Sequence, residues 1–488
     1  MTLPDANLYI DGVVRPASDG RYYENISPWS GEAIGRAAEA TGQDVDAAIG
    51  AARNAFDHTD WSINHGKRFD LLVKWQKALA DRRAQLVEIA KQEAGAAPGA
   101  AAITHVGGAL DAFTGLLALF PHIAWEEDRG ESEAFGVRSH RIVTREAIGV
   151  VGAITPWNVP FYVNVGRAVS AMLTGCTVVL KAAPDTPAAA AIMGEAAVEA
   201  GFPAGVFNVI TSSDPAMAGE MLTGDSRVDT IGFTGSTATG KRIMARAAAT
   251  LKRVHLELGG KSARIILDDA PEFATEVMQS INVFHAGQIC ASLSRLLVPR
   301  SRYQEAVAAL EMAYGYFDQG WGDAVDPTHV MGPLASRAQF DRVMHYIEIG
   351  RQEGARLLVG GKARPDKGGG FFVEPTCFVD VTGDMRIARE EIFGPVLVVI
   401  PYEDDEDAIR IANDSDYGLS GGVVSGDSAR AMRVARRIRT GSISVNGGIA
   451  MAPDLPFGGY KNSGIGREWG VEGLYEFMET KVIGMAVR

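Results

Sequence analysis

The sequence predicts an α/β fold with two lobes, each built around a parallel β-sheet. From about residue 148 onward, short continuous apolar runs rich in β-branched residues alternate with Ala-rich helical stretches. Buried strands that alternate with helices of roughly 10–15 residues are typical of βαβ units and of parallel sheets. The chain has 488 residues, 47% of them apolar, which is long enough to bury more than one core. A second α/β series begins after residue 258, so we place the division between the lobes there.

The first α/β series covers residues 148–258. Its predicted strands are Ile148–Thr155, Thr177–Ala182, Val206–Ile210, Val228–Phe233 and Val254–Leu258, and its predicted helices are 161–174, 187–200, a helix that begins at Asp214, and 236–250. Thr186 followed by Pro187 predicts a helix N-cap with Pro in the first turn, where a missing N–H costs nothing. Gly201 predicts the end of that helix.

The second series repeats the pattern. Its predicted strands are Arg264–Leu267, Leu296–Pro299, Val396–Tyr402 and Gly422–Ser425, and its predicted helices are one that leads into Cys290, one from about 302, and 335–350, 404–413 and 427–439. Two segments fall outside both series. Residues 125–146 are polar and alternate near their end, which predicts a hairpin that leaves the body of the domain. Lys481–Arg488 predicts a short strand with no obvious partner.

The composition excludes several classes of protein. A net charge of -13 would repel a phosphate backbone, so no nucleic-acid partner is expected. Three cysteines are too few for a disulfide framework and indicate a reducing compartment. No two histidines stand at i,i+4 and no Cys-x-x-Cys occurs, so no metal site is expected. The N-terminus lacks a signal peptide, and the most apolar window, Gly107–Phe120, is too short to cross a bilayer; we expect a soluble cytoplasmic protein without a membrane partner.

One glycine-containing turn has features of a phosphate-binding loop. At residues 233–240 the sequence FTGSTATG joins a predicted strand to a predicted helix. Glycines let the backbone approach a ligand, and a helix N-terminus presents free N–H groups to a pyrophosphate. The spacing is G-x-x-x-x-G, which matches neither the Rossmann fingerprint nor a P-loop. From the spacing alone, a plain strand–turn–helix connection explains the segment equally well.

Two further residues are candidates for chemistry. Cys290 follows Gly-Gln and precedes polar residues, whereas Cys176 and Cys377 stand in apolar runs typical of inert buried thiols. A nucleophilic thiolate needs access and positive potential, and the spacing does not decide between this role and a structural one. Glu257 ends a strand in front of two glycines. If it is buried, its raised pKa would suit a general base; the alternative is a carboxylate that faces water.

Seven segments taken together resemble the aldehyde dehydrogenase superfamily. In chain order they are TPWN (155–158), LK (180–181), FTGSTATG (233–240), ELGGK (257–261), GQIC (287–290), EEIFGPV (390–396) and PFGGYKNSGIGRE (456–468). The resemblance covers nearly the whole chain. It implies a Rossmann-like cofactor domain of residues 1–124 and 147–258, a catalytic domain of residues 259–470, and a small β oligomerisation element of residues 125–146 and 471–488. It also implies a homo-oligomer, a dimer or a homotetramer.

The resemblance implies a mechanism as well. The Cys290 thiolate would attack an aldehyde, with the oxyanion held by the Asn158 amide and the Cys290 N–H. Hydride transfer to NAD, or to NADP, would leave a thioester, and Glu257 would activate water to release the acid. The residues implied for the cofactor are Ile154, Thr155, Pro156, Trp157, Lys181, Gly235, Ser236, Leu258, Gln339, Arg342, Glu391 and Phe393. The residues implied for the substrate tunnel are Val159, Tyr162, Val163, Phe284, Met451 and Phe457, which suit an apolar aldehyde.

Three positions depart from the family pattern. Pro184 stands where many NAD-preferring members have a Glu, so the choice between NAD and NADP stays open, with Asp185 as a possible substitute. Arg167 stands where a lysine is common in a proposed proton relay with Glu468, and an always-protonated Arg would orient rather than relay. Gly166 occupies a place often filled by a bulky aromatic residue, which predicts a roomier tunnel.

Two other classes of function compete with aldehyde oxidation. In a cysteine hydrolase, His285 would serve as the base for Cys290. The two residues are five apart, which on a helix puts them on different faces, and no Asn or Asp orienter is evident. In a non-catalytic descendant of the fold, there would be no reason to retain Cys290, Glu257 and Asn158 together.

Overall fold

The computed structural model describes residues 2–317, 320–322 and 326–487 and contains both predicted parallel sheets. In spatial order, the first sheet consists of Val13–Arg15, Leu8–Ile10, Phe207–Ile210, Thr177–Lys181, Val150–Ile154, Thr230–Thr234, Arg253–Glu257 and Gly464–Ile465. The five strands between residues 150 and 257 are mutually parallel, as the sequence predicts. The strands added at the two edges pair antiparallel.

The second sheet carries the second α/β series. In spatial order its strands are Arg356–Val359, Thr376–Val379, Val396–Tyr402, Arg295–Pro299, Ala263–Ile266, Gly421–Val424 and Ser444–Val445. Every neighbouring pair is parallel except at the Arg356–Val359 edge. The strand Val396–Tyr402 has the predicted bounds, because its apolar run is long and clearly delimited.

Helices cover both faces of each sheet. The α-helices are Gly42–His58, His65–Asp81, Arg83–Ala94, Pro98–Ala100, Gly108–Leu119, Pro160–Thr174, Ala188–Ala200, Pro215–Gly224, Thr237–Ala247, Phe273–Met278, Tyr303–Phe317, Arg337–Gln352, Arg386–Arg389, Asp405–Asn413, Ser428–Ala435 and Gly470–Tyr475. A π-helix spans Ala101–Gly107, and 3₁₀ turns span Phe120–His122, Ala248–Thr250, Phe284–Gly287, Arg300–Arg302 and Pro365–Lys367. Separate hydrophobic clusters form on the two faces of each sheet, which explains why apolar residues predominate in the inner strands.

The strand order of the first sheet contains a topological switch point. Val150–Ile154 lies in the middle of the five parallel strands; the next two strands of the chain are added on one side and the last two on the other. The order therefore reverses between Val150–Ile154 and Thr230–Thr234. In open α/β sheets, ligands bind beyond the carboxyl ends of the strands at such a point. This places the expected ligand site just after Ile154 and Thr234.

The predicted N-cap at Thr186 is wrong. The helix begins at Ala188, with Pro187 as the cap residue and no side-chain cap from its own segment. Instead the buried Glu93 carboxylate accepts the Ala188 N–H at 3.0 Å. A carboxylate at a helix N-terminus satisfies free N–H groups in the same way as a local cap. The sequence offers no signal for a cap supplied from so far away in the chain. Gly201 does end the helix in a left-handed conformation, as predicted.

The predicted helix leading into Cys290 is also wrong. The α-helix ends at Met278, and only a 3₁₀ turn, Phe284–Gly287, follows. His285, Ala286 and Gly287 have positive φ angles of 47°, 51° and 70°. Three consecutive left-handed residues cannot continue a right-handed helix. Cys290 therefore lies in a turn. The argument that His285 and Cys290 lie on different faces of a helix does not apply, because no helix contains both residues.

A polar hairpin leaves the first lobe. Glu126–Ala134 and Val137–Ala147 pair antiparallel, as predicted for residues 125–146. The C-terminal strand, Met478–Ala486, pairs antiparallel along the second arm of this hairpin. The predicted terminal strand thus has a partner that the sequence did not reveal. Two smaller two-stranded sheets are also present, Tyr22–Ile26 with Ala33–Ala38 and Tyr417–Gly418 with Tyr460–Lys461.

One helical stretch is long and apolar enough, by length and composition, to cross a membrane. It spans Pro98–His122 and joins the π-helix to its neighbouring helices, so it is longer than the predicted apolar window. Half of its most apolar 18-residue window is buried inside the protein. Leu110, Phe113 and Leu116 belong to the core on one face of the first sheet. The stretch therefore has the packing of a core helix.

Candidate active site

Three chain segments leave the first sheet at the switch point. The strand register pairs Ile154 with Phe233 and Thr234 with Glu257, so the residues after these strands start side by side. The segments contain Thr155, Pro156, Trp157 and Asn158; Gly235 and Ser236; and Leu258. The predicted catalytic and cofactor-binding residues of the first lobe therefore lie at one edge of the sheet.

Cys290 is the partly accessible cysteine of the three. Cys176 and Cys377 are fully buried, whereas Cys290 has intermediate exposure. A Cβ at Gly287 would lie 2.0 Å from the carbonyl oxygen of Gly394. Since no side chain fits there and φ is positive, this position requires glycine. The close approach places the Cys290 loop directly against the segment that contains Glu391 and Phe393.

The Cys290 thiol interacts with the Glu257 carboxyl group. Glu257 is buried, its Oε1 atom has no hydrogen-bond partner in the described residues, and its carboxyl group is close enough to the thiol for each group to shift the pKa of the other. Burial, with a further contribution from the nearby Glu468 carboxylate, raises the pKa of Glu257. Burial and the Glu257 charge raise the pKa of the Cys290 thiol well above its ordinary range. A buried carboxyl group with a raised pKa next to a thiol is suited to proton transfer at this site.

Asn158 lies against the Cys290 loop. Its Nδ2 atom donates to the Gln288 carbonyl oxygen at 2.9 Å, and both side chains are buried. Gln288 is itself held, because its Oε1 accepts the Ala335 N–H at 2.9 Å. The Cys290 N–H donates to no group within the described part of the chain. Asn158 retains a second amide hydrogen, so two donors stand close to the thiol.

His285 does not have the surroundings expected of a base for Cys290. The imidazole is 1% exposed and packs against His105, with the ring centroids 4.7 Å apart. The backbone of Asn158 also lies beside the imidazole. Burial lowers the pKa of His285 to about 4. The charged groups that act on the thiol are instead the carboxylates of Glu257, Glu391 and Glu468.

The second lobe supplies a loop at residues 391–393. The Glu391 Oε1 atom accepts the Gly260 N–H at 2.8 Å, which ties this loop to the residues after Glu257. Gln339 donates to the Phe393 carbonyl oxygen at 2.6 Å, and Arg342 donates to the carbonyl oxygen of Glu391. Gln339 and Arg342 therefore hold the loop through its backbone. The sequence placed them near the cofactor without indicating this role.

The remaining cofactor candidates line a path along the strand ends. Trp157 and Phe393 make an edge-to-face contact with centroids 5.5 Å apart. Ser236 caps the helix Thr237–Ala247 by accepting the Thr239 N–H at 3.2 Å. Lys181 is buried at its strand end and Asp185 acts on its charge; burial lowers the pKa of Lys181 to about 8.

These features fit a nicotinamide dinucleotide. A helix N-terminus with an exposed cap residue at a switch point suits a pyrophosphate. A Cβ at Gly259 would lie 2.3 Å from the Glu391 Oε2 atom, so the backbone there approaches the Glu391 loop as closely as glycine allows. Among the described residues no cluster of His, Cys, Asp or Glu could hold a metal ion.

Arg167 and Glu468 form the ion pair that the sequence suggested. The Arg167 Nη2 and Glu468 Oε1 atoms are 2.5 Å apart, and both side chains are largely buried. Arg167 also donates to the Phe233 carbonyl oxygen and the Thr234 hydroxyl group, each at 2.9 Å. Glu468 in turn lies near Glu257. The arginine therefore anchors Glu468 to the first sheet.

The substrate candidates fall into two groups. Val159, Tyr162 and Val163 are partly exposed in the first turn of the helix Pro160–Thr174, where their spacing puts them on one face. Tyr162 is also an electrostatic neighbour of Cys290. Phe284 and Met451 are about half exposed, whereas Phe457 is buried and pairs through its backbone with Glu468.

The prediction of a roomier tunnel at Gly166 is wrong. A Cβ at Gly166 would lie 2.7 Å from Cζ2 of Trp469, so the indole ring already fills the space. Trp469 belongs to no recognised motif and follows the last one quoted, so sequence reasoning missed it. The missing bulk at Gly166 is the one signal that could have prompted a search for a compensating residue.

The fold and the site together define a class of protein. A Rossmann-type sheet with a thiol, a buried carboxyl group and an amide at its switch point is the arrangement of a dinucleotide-dependent oxidoreductase that works through cysteine. A model of the aldehyde dehydrogenase family matches residues 14–483, and the chain belongs to that family.

Individual relatives agree with this assignment. The chain is 41% identical over 484 residues to 3-succinoylsemialdehyde-pyridine dehydrogenase of a Pseudomonas species, covering 98% of each chain. It is similar to the crystal structure of a Mycobacterium tuberculosis aldehyde dehydrogenase complexed with NAD+, with a TM-score of 0.94, 41% identity, and coverage of 99% of this chain and 98% of that one. A Pseudomonas syringae aldehyde dehydrogenase C variant, complexed with NAD+ and octanal, matches with a TM-score of 0.90, 36% identity, and coverage of 98% and 96%.

The protein therefore belongs to a family of enzymes that oxidise aldehydes, and NAD+ is bound in the Mycobacterium tuberculosis and Pseudomonas syringae structures that it resembles. The sequence-based predictions of family, fold class and activity are confirmed. The cysteine hydrolase and the non-catalytic descendant are not favoured, since both the family and the surroundings of His285 speak against them.

Replacing Asn158 by Ala tests the amide at the thiol. We expect kcat to fall by a factor of about 10²–10³, because one preorganised donor to a developing oxyanion is lost. The measurement is steady-state NADH formation with a saturating aldehyde. Asn208→Ala is a matched control, since Asn208 is also buried but donates to the carbonyl oxygens of Val178 and Gly205. Equal losses in both variants would contradict a specific role for Asn158.

Proposed function

We propose that this enzyme converts an apolar aldehyde to its free carboxylic acid through a thioester on Cys290. The observation that carries the proposal is the Cys290 thiol beside the buried Glu257 carboxyl group, with the Asn158 amide hydrogen-bonded to the loop that contains Cys290. The ionised Glu257 carboxylate takes the thiol proton, and the thiolate sulfur bonds to the aldehyde carbon. The oxyanion of the thiohemiacetal receives hydrogen bonds from the Asn158 amide and the Cys290 N–H.

The first lobe and the 391–393 loop hold the cofactor in this proposal. NAD+, when bound, accepts the hydride that leaves the thiohemiacetal carbon. Lys181 binds the adenosine ribose and the helix that follows Ser236 binds the pyrophosphate. Glu391 and Phe393 orient the nicotinamide riboside, while Gln339 and Arg342 fix their backbone. Ile154, Thr155, Pro156, Trp157, Gly235 and Leu258 line the rest of the path.

Glu257 completes the reaction by hydrolysis. After hydride transfer the acyl group is bound to Cys290 as a thioester, and Glu257 still carries the proton taken from the thiol. Glu257 gives this proton to solvent, and its carboxylate then removes a proton from water as the water oxygen attacks the acyl carbon. The C–S bond then breaks, which releases the acid and returns the cysteine. A buried carboxylate near the sulfur supports transfer of the acyl group to water rather than to a thiol such as coenzyme A.

Asp185 supports a preference for NAD over NADP. Pro184 offers no carboxylate, but the neighbouring Asp185 acts electrostatically on Lys181. A carboxylate near the ribose would repel the 2′-phosphate of NADP and can accept a hydrogen bond from the 2′-hydroxyl of NAD. We propose this carboxylate as the substitute for the missing Glu.

The exposed apolar side chains of the hairpin support a homo-oligomer. Phe135, Val137, Val482, Ile483 and Met485 are all exposed on the three-stranded sheet. Such a patch on a sheet with a free edge is typical of an interface. We propose that residues 125–146 and 471–488 form the oligomerisation element of a dimer or tetramer, and that the enzyme acts in the cytoplasm, where Cys290 stays reduced.

A panel of apolar aldehydes tests the proposed function. Each is assayed for reduced cofactor with NAD+ and with NADP+, with and without coenzyme A, and the product is identified by mass spectrometry. We expect the free acid without coenzyme A, and NAD+ used at least about tenfold more efficiently. Formation of an acyl-coenzyme A product would contradict the hydrolytic step, and better use of NADP+ would contradict the role of Asp185.

The rate is expected to rise with pH above neutrality. Burial raises the pKa of Glu257 to about 8, and a general base works in its ionised form, so the active fraction grows as pH increases toward and past that value. We expect kcat/KM to increase between about pH 6.5 and pH 9 and then to level off. A flat profile over this range, with the protein folded throughout by circular dichroism, would contradict Glu257 as the base.

A further inference from the structure

The niche beside Gly166 is filled from another element of the fold. Trp469 is 3% exposed, and its six-membered ring lies where a side chain at position 166 would project, with Cζ2 and Cη2 2.7 and 2.9 Å from an ideal Cβ. The two residues come from distant parts of the chain, the helix Pro160–Thr174 and the segment just before the helix Gly470–Tyr475. Bulk that is missing on one element is supplied by the other.

The same indole ring packs against the side chain of Tyr162. The ring centroids of Tyr162 and Trp469 are 5.1 Å apart, and a Cβ at Gly108 would come within 3.8 Å of the tyrosine ring. Tyr162 therefore packs against both the tryptophan and the start of the helix Gly108–Leu119. Since Tyr162 is an electrostatic neighbour of Cys290, the position of this ring bears on the space available at the thiol.

Trp469 is held in a conformation that favours glycine. Its φ and ψ angles are 61° and 175°, a region that is essentially restricted to glycine and strained for any other residue. The neighbours on both sides fix it, because Glu468 exchanges backbone hydrogen bonds with Phe457 and the Gly470 N–H donates to Pro453. A strained tryptophan in a place where glycine would be relaxed points to a role for its side chain.

We propose that Trp469, acting together with Gly166 and Tyr162, is a specificity-determining residue that limits the width of the aldehyde accepted at Cys290. This inference rests on the proposed function, and names the part of the pocket that selects among aldehydes. The intact pocket favours slim aliphatic aldehydes over ring-bearing ones, because the indole ring fills the niche and prevents Tyr162 from moving into it.

The first test is the substitution Trp469→Gly. Glycine relaxes the backbone at this position and empties the niche, so the variant is expected to fold. The measured quantity is the ratio of kcat/KM for 2-naphthaldehyde to kcat/KM for propanal, with NAD+ saturating. We expect the ratio to increase by at least about tenfold over the wild-type enzyme, the discrimination that even one methylene group produces in an apolar pocket.

The exchange variant Gly166→Trp with Trp469→Gly supplies the indole ring from the opposite element. We expect it to return the ratio to within about threefold of the wild type. Gly166→Trp alone overfills the niche and should lower Tm, and the added Trp469→Gly should reverse that loss. Reversal of the Tm loss is independent of activity, so it tests the packing even where a variant is slow.

Trp75→Leu is the matched control. Trp75 is a buried tryptophan of the same core, but it packs against Phe113, Phe202 and Phe207. Its replacement should lower Tm and leave the ratio unchanged. An unchanged ratio in Trp469→Gly, or an equal change in Trp75→Leu, would overturn the inference while the proposed function stands. If the wild-type enzyme oxidised no aldehyde, both the inference about Trp469 and the proposed function would be contradicted.

Discussion

Replacement of Cys290 by Ala is expected to lower aldehyde-dependent NADH formation by a factor of at least roughly 10⁴. Without the sulfur no thiohemiacetal forms, and the hydride would have to leave the aldehyde or its hydrate directly. The thiol is the partly exposed one of the three and lies in a turn against Glu257. Steady-state rates at high enzyme concentration, with NADH followed by absorbance, measure the loss.

Cys377→Ala is the matched control for this result. Cys377 is fully buried in the second sheet, between Thr376 and Phe378 of one strand. Its replacement removes a buried sulfur and costs stability without touching the first lobe. We expect its rate to stay within about twofold of the wild type. A Cys290→Ala enzyme that retained a tenth of the wild-type rate would contradict covalent catalysis at this position.

Replacement of Glu257 by Gln is expected to separate the two halves of the reaction. Loss of the base should slow acyl release by a factor of about 10²–10⁴, whereas hydride transfer can still occur once at each site. Pre-steady-state mixing with aldehyde and NAD+ should therefore show a burst of close to one NADH per active site, followed by a slow phase. The burst itself is expected to be slower at low pH, because the thiol has lost its proton acceptor.

Glu93→Gln provides a control of the same chemistry. Glu93 is also buried, and burial raises its pKa to about 8, but its partners are the Ala188 N–H and Asn25 at the start of a helix. Its replacement should leave both the pre-steady-state time course and the steady-state rate of NADH formation as they are in the wild type. A burst in Glu257→Gln followed by a steady-state rate equal to that of the wild type would contradict the role of Glu257 in hydrolysis.

The alternation of apolar and helical segments, with Pro and Gly at the predicted helix ends, was sufficient to predict the parallel sheets. The strand Val396–Tyr402 and the five central strands of the first sheet are mostly apolar and largely buried, because helices cover both of their faces. The strand Leu8–Ile10, second from the edge, joins the first sheet through an antiparallel pair between Tyr9 and Val209, which is far away in sequence. Its three residues are too few to show a period, so no pattern in the sequence predicts it.

The candidate site was predictable in its residues and not in its geometry. The motif residues Asn158, Glu257 and Cys290 lie on segments that the fold brings together at one edge. The turn that carries Cys290 was missed, because left-handed conformations at His285 and Ala286 are rare for these residue types and leave no mark in the sequence. Trp469 was missed for a related reason: its side chain matters through contact with Gly166, which tertiary structure alone creates.

The central claim is that the acyl group passes through a thioester on Cys290 and leaves by hydrolysis that depends on Glu257. Intact-protein mass spectrometry of Glu257→Gln, quenched in acid shortly after mixing with propanal and NAD+, tests it most directly. We predict a mass increase equal to one propanoyl group per chain, located on the peptide that contains Cys290 and absent when NAD+ is omitted. Full NADH formation without any acylated chain, or an acyl group on a different residue, would contradict the account.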